Sequence, residues 1–124
     1  MSSGPGYTRY PEHHVEAQRL GRHLQIKVAG EVIAESDDAI EVDETNHDPV
    51  FYVPRKDVRM EILARNPHHT RCPFRGEASY FDIVRHGRTI PNAVWSYEQP
   101  YDEVGVIKDH VAFYPHKVDS ITVG

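Results

Sequence analysis

The sequence predicts a mainly β fold: a small single domain of short antiparallel strands with one or two short helices. Three observations predict it. The chain has 124 residues, enough for one hydrophobic core and too few for two. Apolar and polar residues alternate at period two through much of the chain beyond residue 20. Glycine, proline, asparagine and aspartate interrupt the alternation at short intervals, as turns between strands do.

Residues 1–20 carry Gly4, Pro5, Gly6 and Pro11 with little periodicity and read as an extended N-terminal arm, with Tyr7 and Tyr10 as anchors; residues 21–124 form the β domain. Leu24, Ile26 and Val28 alternate with His23, Gln25 and Lys27, the pattern of a half-buried strand, and Gly30 offers a turn. Short strands follow at Val32–Ala34 and Ala39–Val42, and again at Val50–Val53 after the Asn46-His47-Asp48-Pro49 turn. Pro54 to Leu63 is the helix expectation, because proline suits a first helical position and Val58 and Ile62 are four apart. A loop around Asn66-Pro67 leads to a strand at Ala78–Val84, a tight hairpin at His86-Gly87 and a strand from Thr89 to Tyr97 broken near Pro91. A helical turn at Asp102–Ile107 and strands at His110–Tyr114 and Ile121–Val123 complete the reading.

Composition excludes several classes. Nineteen acidic against 14 basic residues give a formal charge of −5, which offers no excess of positive potential to a nucleic-acid backbone. No apolar run approaches a membrane span, and the first twenty residues lack a secretion signal, so the expected setting is cytoplasmic. A single cysteine, Cys72, forms no intramolecular disulfide and no paired-cysteine zinc ribbon. Nine histidines raise the question of a metal, yet His68-His69 with Cys72, the tightest group, has no recognisable ligand spacing, and no metal or cofactor is expected. There is no glycine-rich phosphate loop, and Asp37-Asp38 reads as a solvated turn rather than a magnesium pair.

Two segments concentrate chemistry. Thr70 to Tyr80 places Cys72, Arg75 and Tyr80 within ten residues, with Pro73 and Gly76 bending the chain between them. A cation beside a thiol favours the thiolate, whereas a free cysteine before a turn is ordinarily a small buried hydrophobe, and packing is the expectation for Cys72. Asn92 to Tyr101 sets Trp95 and Tyr97 on one face by period two, either as core or as a wall with polar tips, and Glu98 is the nearest carboxylate, on the opposite face or in the following turn.

At these residues the sequence resembles the bacterial DUF427 family, sometimes labelled nucleotidyltransferase-like. The resemblance runs from about Gly30 to Tyr114. It rests on Gly30 to Ser36, Tyr52 to Val58, Thr70 to Tyr80 and Ala93 to Pro100, with an arm-like opening at Pro5-Gly6-Tyr7 and Pro11-Glu12-His13. It implies a β-tent or half-barrel enclosing a cleft and no established general reaction. The family pattern usually has lysine where this chain has Arg75, which keeps the charge and removes a potential amine nucleophile.

The functional expectation is a small-molecule-binding domain or enzyme with an aromatic-lined cleft and a central arginine, acting on a small anionic, planar or cyclic metabolite. Arg75, Tyr80 and Glu98 are the candidate catalytic residues; Tyr52, Arg75, Trp95, Tyr97 and Tyr114 are the candidate binding residues. Arg75 carries this reading, because a guanidinium is costly to bury without an anion. The alternative is an interaction module whose aromatics are core, with Arg75 held by Glu77, Glu98 or Asp57. Partners are a small anionic molecule and, allowed by size, a second copy in a homodimer, with neither nucleic acid nor membrane.

Overall fold

The computed structural model describes residues 2–124. A one-turn helix, α1 (Gly6–Arg9), precedes ten strands: β1 (Val15–Arg19), β2 (Leu24–Val28), β3 (Glu31–Ser36), β4 (Ile40–Glu44), β5 (Val50–Pro54), β6 (Leu63–Cys72), β7 (Gly76–Arg85), β8 (Arg88–Ser96), β9 (His110–Phe113) and β10 (Ser120–Val123). The architecture is mainly β, as the alternation predicts.

Seven strands make one sheet in the order β1-β4-β5-β9-β8-β7-β6, and three make a second in the order β10-β2-β3, with every pairing antiparallel. Period two sorts the side chains of the large sheet onto two faces. Val53, Phe81, Val94, Val111 and Phe113 pack with Leu24, Ile26, Val28 and Ile33 of the small sheet in one core. Tyr52, Ala78, Tyr80, Tyr97 and Ala112 face the other way and pack with Ile40, Val42, Val104 and Ile107 in a second core. Each buried aliphatic side chain contributes roughly 1.5–3 kcal/mol, so both faces matter to stability.

The segment read as an arm carries α1 and β1, and β1 pairs with β4 over five residues, from Val15 opposite Glu44 to Arg19 opposite Ile40. It is tied to the turn between β6 and β7 by the Gly6 amide on the Pro73 carbonyl (2.9 Å) and by the Tyr7 hydroxyl on the Phe74 carbonyl (3.0 Å).

The helix expected from Pro54 to Leu63 does not form. Single 3-10 turns at Arg55–Asp57 and Met60–Ile62 flank Val58, which is extended at φ −121° and ψ 141°. A contact distant in sequence decides this. Val58 bridges to Ala34 of β3 and the Arg59 amide donates to the Ile33 carbonyl (2.9 Å), holding the chain where an α-helix would consume those groups internally. Asn66-Pro67 is likewise no loop. It is an irregularity inside β6, where the register against β7 shifts between Asn66 and His69. The break expected near Pro91 is a matching shift between β7 and β8, at which Asn92 has φ +51° and its amide donates to the Asp82 carboxylate (2.9 Å).

Candidate functional site

The turn that joins β6 to β7 sets the position of Arg75. Cys72 faces Gly76 across the end of the ladder, and Gly76 takes φ +115°, open to glycine and strained for other residues. The Arg75 side chain runs into the tyrosine-rich core and is about one-tenth exposed. One terminal nitrogen donates to the Cys72 sulfur (3.4 Å), the other to the Glu44 carboxylate, and Nε is buried with no hydrogen-bond partner. Glu44, at the end of β4, also meets His13 Nε2 (2.7 Å) and lies 3.7 Å from His47. Burial pushes the Glu44 carboxyl up, and His13 and Arg75 together outweigh it and hold it below the usual carboxylate range. The carboxylate that meets Arg75 is therefore Glu44, not Glu77, Glu98 or Asp57.

Around this pair the aromatics divide by exposure. Tyr52 and Tyr97 are buried, whereas Trp95 and Tyr114 are half-buried. Burial pushes Tyr52 up to about 12 and drives Tyr97 higher still, so both remain neutral phenols at physiological pH. The Trp95 indole donates to the Tyr52 hydroxyl (3.2 Å) and packs on Tyr114 with ring centroids 4.4 Å apart; His116 follows at 5.6 Å. Tyr80 lies directly opposite Trp95 in the ladder, shares a hydrogen bond with Thr70 (2.9 Å) and has the exposed His68 ring 4.6 Å away. Burial, reinforced by the Tyr80 phenol, pushes Tyr114 up to about 12. The result is a row of rings across β6, β7, β8 and the end of β9, wet at both ends and anchored in the core at Tyr52.

Glu98 belongs to the other face. Beyond β8 it follows Ser96 onto the side that carries Ser79 and Phe81, and Arg65 grips it with two hydrogen bonds (2.7 and 2.9 Å) while Arg55 adds a third (3.3 Å). Both guanidiniums lie over the Phe81 ring, at 5.7 Å for Arg55 and 4.9 Å for Arg65. Arg55 also donates to the buried Ser96 hydroxyl (3.0 Å), and its Nε is buried without a partner. The Arg65 hydrogen bonds, above all, pull Glu98 down to about 2, so at neutral pH it accepts hydrogen bonds and has no proton to give.

Of the residues singled out in the sequence, Arg75, Tyr52, Tyr97, Tyr80, Trp95 and Tyr114 thus share one side of the large sheet, and Glu98 stands on the other. Sequence reasoning missed Glu44 and His13, and it missed Arg55 and Arg65. No local pattern names them: Glu44 is 31 residues from Arg75, and Arg65 is 33 from Glu98. Among the described residues no three His, Cys, Asp or Glu side chains converge as a metal-ligand set, and no helix is long and apolar enough to cross a membrane.

No curated protein matches the chain. The model of one family does, described as a domain of unknown function (DUF427), and it covers residues 16–124, from β1 through β10 and both faces of the large sheet. The chain belongs to the DUF427 family.

Proposed function

We propose that the protein is a small-molecule-binding domain of the cytoplasm that receives a planar ring on the aromatic row of the large sheet. One observation carries this reading: Trp95, the single tryptophan of the chain, is left half-buried against Tyr114 while Tyr52 beneath it fixes the indole by a hydrogen bond. An accessible indole of fixed orientation, flanked by the Tyr52 and Tyr114 rings, suits stacking with a flat ligand, and the neutral phenols supply hydrogen-bond donors at its edge. The charge of Arg75 is taken up by Glu44, so the ring and not an acid group is what this face recognises. Burial holds Tyr52, Tyr97 and Tyr114 as neutral phenols, which favours binding over acid–base catalysis by them.

The second reading, an interaction module whose aromatics are structural, is favoured by that same Arg75–Glu44 pair. Titration of planar aromatic carboxylates, amides and nucleosides, followed by Trp95 fluorescence, separates the two. A saturable change that Tyr114→Ala weakens about tenfold, the scale of a stacking contact, supports the ligand reading. A flat titration with every ring class, on protein whose melting is normal, overturns it.

A further inference from the structure

The opposite face holds a second feature independent of the aromatic row. A groove of about 880 Å3 opens where β7 begins, lined among others by Arg71, Glu77, Ser79, Glu98, Gln99 and Lys108. The groove volume is the size of a sugar phosphate or larger. Its walls are polar, and they carry two cations, Arg71 and Lys108, against two carboxylates, Glu77 and Glu98, in a chain whose formal charge is −5. Lys108 is exposed and has no carboxylate within ion-pair distance among the described residues, while Arg71 shares Glu77 at 3.1 Å in an exposed pair. Behind the lining, Arg55 and Arg65 both spend their charge on Glu98 alone. Glu98 is thereby neutralised from behind and Glu77 by Arg71, which leaves Lys108 as the uncompensated charge of the lining.

We propose that this groove binds a phosphate monoester of a small hydroxylated molecule. The ammonium of Lys108 and the guanidinium of Arg71 supply charge and donors for the phosphate, and an exposed arginine paired to one surface glutamate gives up that pair at little cost. The hydroxylated body has matching partners. Glu98, held as a carboxylate by two arginines, accepts hydrogen bonds from hydroxyl groups, and Gln99 and Ser79 both donate and accept. An apolar ligand body finds little to pack on there, which is why the class is polar. The floor is also rigid: the Tyr101 amide donates to the Arg75 carbonyl (3.0 Å), and a Cβ on Gly76 would stand 3.2 Å from the Gln99 carbonyl oxygen, so the two walls are in contact at the base.

The test is calorimetric titration of the full chain at constant ionic strength with inorganic phosphate, glucose 6-phosphate and glucose, repeated on Lys108→Gln and Arg71→Gln. Both substituted residues are exposed, so folding is retained, and a melting curve verifies it. Glucose 6-phosphate is expected to bind more tightly than phosphate, glucose not to bind, and each variant to lose about tenfold or more in affinity, the worth of one charge-assisted hydrogen bond. Glu98→Gln replaces the charged acceptor for hydroxyl groups by a weaker neutral one, so it should weaken glucose 6-phosphate relative to inorganic phosphate. Absence of binding at 10 mM, which is roughly the weakest affinity of use to a metabolite site, overturns the proposal, and so does equal affinity in the folded variants. Tyr114→Ala should leave phosphate-ester binding untouched, which separates a failure here from a failure of the aromatic-row reading.

Discussion

The guanidinium of Arg75 is neutralised from within, by Glu44 at the end of β4, and both side chains are about one-tenth exposed. The end of β4 and the β6–β7 turn, which belong to strands that are not neighbours in the sheet, are thereby joined beneath the aromatic row. His13 closes the arrangement from the N-terminal side, touching Glu44 and packing on Phe74 at 4.6 Å.

Removing one partner of such a pair leaves the other charge buried and uncompensated. Arg75→Met should destabilise by about 3 kcal/mol, the low end for buried pairs because each group keeps some solvent contact. The double variant Arg75→Met with Glu44→Leu should recover most of that loss, since apolar replacement of both partners is close to neutral. Urea unfolding of the wild type, the single variants and the double variant closes the cycle. Additive losses in the double variant would mean that the two charges are not coupled.

Glu98 predicts a window of acid sensitivity. Its carboxyl is held at about 2 by Arg65 first and then by Ser79 and Arg55, against an ordinary value of 4.5. A depressed carboxylate stabilises the fold fully above its unfolded value, and that stability is lost as pH falls from about 4.5 through about 2. The Arg65 partner is half exposed, so solvent screens part of the effect. Glu98→Gln should flatten the decline in unfolding free energy between pH 5 and pH 2.5 relative to the wild type, with Glu44 and other paired carboxylates supplying the decline that remains. Parallel curves for the two proteins would show that the arginine clamp contributes nothing to folding.

Cys72 predicts little. Its sulfur accepts one hydrogen bond from Arg75 and its side chain packs half-buried against the tyrosine-rich core. Cys72→Ser keeps an acceptor at the same place and gives up a small apolar contact, so the expected cost is about 1 kcal/mol, and Trp95 fluorescence in the folded protein should not change. A large fluorescence change would place the thiol closer to the ring system than a packing role requires.

How much of this was legible in the sequence depends on the range of the contacts. Leu24, Ile26 and Val28 alternate and are buried, because a strand's faces are written at period two. The same rule put Trp95 and Tyr97 together and left Glu98 either on the opposite face or in the following turn; it lies just beyond β8, on the opposite side. The helix expectation at Pro54 failed because Val58 is claimed by Ala34, 24 residues earlier, and no local pattern records that bridge. The strand at Asn66-Pro67 was hidden for another reason. β6 is an edge strand with a mostly exposed, polar surface, so it lacks the apolar alternation by which strands are recognised. Glu44 as the partner of Arg75 was beyond local reading altogether, since three strands stand between β4 and β7 in the sheet order and only the course of the sheet in space brings Glu44 to the β6–β7 turn.

Gly76 offers a test of that turn. It sits at φ +115°, and a Cβ there would stand 3.2 Å from the Gln99 carbonyl oxygen, which is backbone and cannot rotate away. Gly76→Ala should cost about 1–3 kcal/mol for the strained backbone alone. Because Gly76 is the last rung opposite Cys72, the strain falls on the turn that carries Arg75, and unfolding by urea should shift while the Gly87→Ala control at the far hairpin, with open space around it, shifts less. Equal shifts would mean that the Gln99 contact relaxes freely.

Gly6 asks a different question: whether the N-terminal segment is part of the cooperative fold. A Cβ at this position would meet three atoms of the Phe74 ring at 2.8 to 2.9 Å, and the ring is pinned between Tyr7 on one side and His13 on the other. A rigid ring so enclosed cannot turn aside, so Gly6→Val should lift α1 from the β6–β7 turn and break the hydrogen bonds from Gly6 to Pro73 and from Tyr7 to Phe74. The five-residue pairing of β1 with β4 lies beyond the lifted stretch and does not depend on it. If α1 opens as a local unit, trypsin should cut after Arg9 at least tenfold faster in the variant, with the melting temperature lowered by only a few degrees, as local unfolding does not require the global transition. If the melting temperature instead collapses together with protection at Arg9, α1 folds as one unit with the sheet, and His13 and Glu44 are held by the same cooperative transition as the cores.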